Sequence, residues 1–413
     1  MRQTRMMRPD YAGKFACIGS ACDDTCCAGW LVTVDAVTHE KYRSLPEGPL
    51  RSLIESSIVP PPEIAGKKGA AQYATIRMLP RGQCPMLSPE RLCRIQLEHG
   101  EAYLCRTCQN FPRITHTIDG LSETVLSLSC PEAARLVLLK SRLLPPAGAA
   151  GYQIAWDESA TGQPLRVYFW QIREFVLTLL ENRRYPLWQR MFLLGTFSRR
   201  LDALVRGEVT RSFPDLLRDF SRAVAGGGLC ASMETVPADL PLQLKIVIRL
   251  VAQRVNNVGI SPRLREVLSL FMEGVGHTPE ASLDSQAAKY AKAYAQFYEP
   301  FFRRHPRILE NYLINVVLRD FFPFGQKLFE PNAVLEPAAA FEKLAIQFAL
   351  IKGLLIGVAG ARGRKFSSAD VIRTVQTTFK YFEHNLEFLP RAQAMLAAKG
   401  LNDARGLTML VRN

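Results

Sequence analysis

The chain has 413 residues, with 52 Lys and Arg against 38 Asp and Glu, a formal net charge of +14. Hydrophobic residues make up 48% and charged residues 22%, which excludes a disordered chain and supplies core for two or three domains. The positive excess favours an acidic partner. The basic residues are nevertheless dispersed, with no run of about five or six like charges, and they form no nucleic-acid-binding stripe.

The first ten residues, MRQTRMMRPD, are basic but lead into no apolar segment, so they do not read as a secretory signal. No stretch reaches the roughly 18–20 uninterrupted apolar residues of a membrane helix. The nearest, 344–361, is interrupted by Gln347 and Lys352. A cytoplasmic protein with no membrane partner is expected. In a reducing compartment, clustered cysteines point to metal ligands or redox groups before disulfides.

In chain order, residues 1–16 read as an extended lead-in. GWLVTVDAVT after Cys27 reads as a short strand, and Asp35 is placed to cap a helix over 36–45. Prolines mark loops at 46–49 and 60–62, and 73–79 fits a second short strand. Leu92, Ile95, Gln96 and His99 fall at helical spacing. Gly100 ends that helix, and a second is expected from 101 until Pro112 stops it. Pro131 suits the first turn of the next helix, with Cys130 at its N-terminus, where free amides favour a thiolate.

Residues 144–164 are rich in Ala, Gly and Pro and read as a linker. Helices are expected beyond it at 165–182, 186–206, 212–224, 241–256, 262–273, 282–304, 307–321, 337–358, 367–385 and 390–399. Ser261 before Pro262, and Ser367 with Asp370 three residues on, are start signals. The fold class is therefore mainly α. A cysteine-rich metal-binding domain with short strands is expected over 1–145, and an all-helical domain over 146–413. The aromatic run 290–302 reads as core packing. The glycines of 357–366 follow no strand, so they read as a helix end and not as a phosphate loop.

The cysteines carry the chemistry. Nine of ten lie before residue 131, and four fall within 17–27 as C-x4-C-x3-C-C. Cys84, Cys93, Cys105, Cys108 and Cys130 form a second group. Thiolates bind zinc and iron–sulfur clusters. Cys22 and Cys26 are four apart, and Cys105 and Cys108 three apart, so each pair would share one face of a helix. On a helix, adjacent Cys26 and Cys27 would diverge by about 100°, too far to chelate one small ion. More than one metal, or a cluster with a satellite thiol, follows. The bland alternative is a structural zinc knot in a non-enzymatic protein. His99 and His116 are secondary ligand candidates.

The segments CIGSACDDTCCAGW, CPML, LCRIQLEHGEAYL, TCQNFPR and LSCPEAARL together resemble the flagellin lysine N-methylases, within the wider group of CxxCxxCC metal-chelating proteins. LENYLINVVLRDFFPF (309–324) and FSSADVIRTVQTTFKYFEHN (366–385) extend the resemblance to the C-terminal part, with 145–300 least distinct. The resemblance implies a cytoplasmic enzyme that methylates lysine ε-amines of flagellin, using S-adenosylmethionine and an iron–sulfur cluster. A four-iron four-sulfur cluster is the first expectation and zinc the alternative. The cysteines that match the family pattern are Cys17, Cys22, Cys26, Cys27, Cys84, Cys93, Cys108 and Cys130; Cys105 and Cys230 fall outside it. The chain departs from other methyl-transfer families, with neither the C-x3-C-x2-C motif of radical S-adenosylmethionine enzymes nor a glycine-rich methyltransferase loop. A lysine amine, with a reference pKa of about 10.4, must lose a proton before it attacks a methyl group. Glu310, Tyr312 and His384 are the candidate proton acceptors.

Overall fold

The computed structural model describes residues 3–6, 9–60, 73–145, 152–155, 165–255, 261–330, 332–383 and 387–413. Strand β1 (Gln3–Met6) opens the chain, and a 3-10 turn, Tyr11–Lys14, follows. Strand β2 (Thr33–Val34) leads into α1 (Ala36–Arg43), where Asp35 Oδ1 accepts from the Thr38 amide at 3.0 Å and caps the helix as expected. Helix α2 (Pro49–Ser57) starts on the proline that the sequence reading placed in a loop. Proline suits that first turn, where its missing N–H has no partner to lose. Strands β3 (Ile58–Val59) and β4 (Ala74–Ile76) complete a small antiparallel sheet of order β2-β4-β3.

Helix α3 (Arg94–His99) ends at Gly100, whose φ of +84° suits glycine alone. The helix expected from 101 is broken. A 3-10 turn covers Glu101–Tyr103, Leu104 and Cys105 are extended, and α4 (Arg106–Asn110) starts afresh. Strands β5 (Arg113–Ile118) and β6 (Leu121–Leu126) form a hairpin that the sequence reading missed. Its turn is Asp119-Gly120, with φ of 50° and 78°, a tight-turn pair flanked by β-prone residues. Helix α5 (Pro131–Leu138) begins after Cys130. Strand β7 (Tyr152–Ala155), inside the segment read as a linker, pairs antiparallel with β1; most of that segment lies outside the described residues.

The helical body comprises α6 (Phe169–Glu181), α7 (Leu187–Val205), α8 (Phe213–Gly226), α9 (Cys230–Glu234), α10 (Leu240–Val255), α11 (Pro262–Gly274) and α12 (Leu283–Ala293). It continues with α13 (Glu299–Arg304), α14 (Arg307–Arg319), α15 (Pro337–Arg362), α16 (Ser368–Thr378), α17 (Phe388–Ala397) and α18 (Ala404–Met409). A π-helical turn, Tyr294–Tyr298, joins α12 to α13, and another, Phe379–Glu383, extends α16. Serines cap α8, α11 and α12, and Ser367 with Asp370 forms the expected capping box of α16. The chain is thus mainly helical, as expected.

Two hydrophobic cores form. The larger joins the helical body to α5, the β5–β6 hairpin and Tyr11. The smaller holds Val32, Val34, Tyr42, Leu50, Ile54, Ile76, Met86 and Ile95 together with Cys84 and Cys105. Leu143, Leu144 and Leu165, on either side of residue 145, belong to the larger core. The Tyr11 hydroxyl donates to Asn315 Oδ1 at 2.5 Å, and Asn315 donates to the Leu126 carbonyl at 3.1 Å, which fixes the N-terminal segment to α14.

Helix α15 runs through the centre of the body and is apolar on every side. It is the one described helix long and apolar enough to cross a membrane, and 89% of its most apolar window is buried inside the protein. Small residues set its spacing. A Cβ on Gly274 of α11 would lie 1.8 Å from the Gly357 carbonyl oxygen, so these helices touch backbone to backbone.

Lys352 is the charged residue that this helix buries. It is buried, donates to the Val411 carbonyl and Asn413 Oδ1, and faces the Tyr294 ring at 5.8 Å. Burial pushes its pKa down to about 7. In the window from about 7 to the ordinary lysine value, the unfolded chain holds a proton that the folded chain lacks. Stability therefore rises with pH through that window, and below it both states are protonated and the contribution is flat. Between pH 7 and 9 the native protein should gain about 2 kcal/mol relative to Lys352→Met. Urea unfolding at the two pH values measures this, and equal gains in both proteins would contradict it.

Candidate functional site

Local backbone structure brings distant cysteines together. The Cys84 amide donates to the Cys27 carbonyl at 2.8 Å, the Gly29 amide to the Gly82 carbonyl at 3.0 Å, and Ala28 bridges Gln83. The loop carrying Cys26 and Cys27 is thereby zipped to the one carrying Cys84. Leu87 bridges Cys93, the residue before α3. Cys105 and Cys130 sit likewise just before α4 and α5.

The thiols then interact directly. The Cys27 thiol lies between Cys26 and Cys93 and hydrogen-bonds to both. As donor it holds Cys93 down to about 6 and Cys26 down to about 7, with the Lys380 ammonium assisting at Cys26. Cys27 itself is pushed up. Cys105 and Cys108 form a second bonded pair, Cys105 lowered by its partner and Cys108 raised. Cys84 feels Cys93, Cys105 and Cys26, and burial pushes it up to about 11. Six thiols thus share one electrostatic neighbourhood. Cys130, pushed up to about 12 by burial, also feels Cys22 and Cys26, and Cys22 feels Cys17.

Two sequence expectations change here. Residues 22–27 are bends and not a helix, so the face-sharing argument for Cys22 and Cys26 and the divergence argument for Cys26 and Cys27 do not apply. Cys105, which falls outside the family pattern but is grouped with Cys108 by spacing, is buried beside it. Cys230 is exposed at the start of α9.

The metal-binding expectation meets a geometric limit. Among the described residues, no three His, Cys, Asp or Glu side chains are arranged to hold a metal ion. The donor chemistry fits a soft metal group, with Cys26, Cys27, Cys84, Cys93, Cys105 and Cys108 as the available sulfurs. Any group held there must span the two bonded sets of thiols or draw them together.

The thiol loop is gripped by the helical body. Lys380 donates to Asp24 Oδ2 at 3.0 Å and to the Thr25 carbonyl at 2.7 Å. Gln376 Nε2 donates to Asp24 Oδ2 at 2.7 Å and to the Ser129 carbonyl at 2.9 Å. Arg263 donates to Gln376 Oε1 at 2.8 Å and to both the carbonyl and the carboxylate of Asp23.

Of the three expected proton acceptors, Glu310 and Tyr312 fall within the described residues. Both Glu310 oxygens are taken by Arg183, at 2.7 and 3.0 Å, and Arg190 adds a third contact at 2.9 Å. Despite burial, these arginines hold Glu310 below its ordinary value, which makes it a weak base. Tyr312 is buried between the Phe348 and Phe379 rings. His384 lies outside the described residues. Glu310→Gln should cost about 3 kcal/mol of stability by leaving Arg190 buried without its counter-charge, while turnover per folded molecule stays constant. A fall of about a hundredfold or more in that turnover would instead make Glu310 the base.

A helical body gripping a nest of thiols, of which Cys84 and Cys105 are buried and Cys26 is exposed, defines a thiol-centred protein, and a fold by itself assigns no reaction. The comparisons with known proteins add the reaction class. The family model described as the FliB lysine N-methylase C-terminal domain matches residues 173–410, and the chain belongs to this family. It is accordingly an enzyme of the lysine N-methylase class. The lysine-N-methylase of Salmonella typhimurium (strain LT2) is 26% identical over 400 residues, 94% of each chain, and that of Salmonella choleraesuis (strain SC-B67) matches to the same extent. The flagellar biosynthetic protein FliU of Salmonella muenchen is 35% identical over 139 residues, 33% of this chain and 79% of that one. No solved structure matches.

Proposed function

We propose that this enzyme transfers methyl groups from S-adenosylmethionine to lysine ε-amines of flagellin in the cytoplasm. The thiol centre holds an iron–sulfur cluster, four-iron four-sulfur in type, with zinc as the alternative occupant. The observation that carries this reading is the convergence of six thiols on a loop gripped by helices of the matched methylase span. The flagellar names of the relatives support flagellin as substrate.

A bound cluster would supply electron transfer or an open iron site. The protein's own part is to hold the thiolates: Cys27 lowers both Cys26 and Cys93, and Lys380 offsets the negative charge at Cys26. The acceptor amine must reach the site neutral, which desolvation and nearby positive charge both favour. Tyr312 and His384 are the proton acceptors to test, since Glu310 is committed to its arginines.

Labelled methyl transfer from S-adenosylmethionine to flagellin of the same organism, by anaerobically reconstituted enzyme, tests the proposal. Transfer is expected, together with its loss in Cys26→Ser and Cys93→Ser. Full activity of the zinc-loaded form would assign zinc. No transfer by the fully metallated wild type would overturn the proposal.

A further inference from the structure

Residues 23–29 have no continuous secondary structure, yet they carry two thiols to one position. Besides the bridge at Ala28 and local hydrogen bonds of the Thr25 and Cys27 amides and the Cys26 carbonyl, the loop is held by polar contact with α11, α16 and the π turn after α16. Gln376 is fully buried, and its amide is used at both ends. One side chain therefore ties the turn before Cys130 to the loop before Cys26. Lys380 is equally enclosed: its side chain is 6% exposed and that of Asp24 is 12% exposed. The Lys380 stem also packs 3.5 Å from where a Cβ on Gly29 would lie, so it borders the loop on both sides of Cys26 and Cys27.

Burying a Lys–Asp pair carries a desolvation cost that the attraction only partly repays. A neutral, apolar contact would stabilise the same junction at least as well. What the polar contact adds is direction, because Asp24 Oδ2 and the Thr25 and Ser129 carbonyls each meet a fixed donor. Groups that orient ligands in this way are worth about 10–100-fold in metal affinity.

We propose that Gln376 and Lys380 are positioning residues of the thiol centre. From the methylase helices they hold the Asp24 loop so that Cys26 and Cys27 meet Cys93, and they set Cys130 at a fixed place beside it. The metal part of this inference rests on the function proposed above; the thiol geometry does not.

The test uses full-length, reduced, metal-free protein with two readouts. One is affinity for Zn²⁺ alone, and the other is the yield of disulfides joining Cys26 or Cys27 to Cys93 under mild oxidation, mapped by peptide mass spectrometry. Lys380→Met and Gln376→Leu should weaken Zn²⁺ binding by about 10–100-fold and lower the disulfide yield, and Lys380→Arg should recover much of both. Arg173→Met removes a partner of Glu123 in an equally buried pair, so it should lose stability and leave both readouts at the wild-type level. Wild-type values in Lys380→Met and Gln376→Leu, or an equal loss in Arg173→Met, would overturn the inference. If the wild type takes up no Zn²⁺, the metal reading falls and the disulfide yields alone decide the positioning role.

Discussion

The 26 residues of α15 present apolar side chains in every direction, so each face of that helix must find a neighbour. Helices α7, α10, α11, α12, α16, α17 and α18 supply them. Close approach is possible because glycines stand at the crossings: a Cβ on Gly353 would lie 2.3 Å from Val247, and one on Gly357 2.4 Å from Phe271. Covering α15 fixes where α11 and α16 lie. Those two elements and the π turn after α16 carry Arg263, Gln376 and Lys380. The requirement to bury one helix thus decides where three polar side chains point.

Those side chains connect a conventional helical core to an unconventional site. The thiol region has only a small core of its own, and Cys84 and Cys105 belong to it. Its loops are held by isolated bridges and by contacts with the larger body. The family match over 173–410 therefore covers the support, while the thiols come from the region before it. Neither part forms the site alone.

Much of the helical body was legible because its signals are local. Asp35, Ser212, Ser261, Ser282 and Ser367 each mark a helix start within a few residues. Other elements were missed for identifiable reasons. Asp119-Gly120 is a strong hairpin signal that went unused. Pro49 was read as a loop residue although proline also starts helices. The π turns after Ala293 and Thr378 leave no pattern in sequence. The thiol cluster was legible in its membership and not in its arrangement. Helical spacing paired Cys22 with Cys26, whereas the fold sets Cys27 against Cys93, with the Cys27 loop bridged to Gln83, dozens of residues further on. The clamp from 376–380 onto 24–25 spans most of the chain, and no local rule reaches it.

The central claim is that these thiols form an iron–sulfur centre inside a lysine methylase. Anaerobic purification followed by a visible absorption spectrum, with iron, inorganic sulfide and zinc counted per chain, tests it most directly. The account predicts a coloured protein with matching iron and sulfide, and loss of the colour when Cys93 is replaced by serine. A colourless protein carrying zinc alone, or no metal, would contradict it.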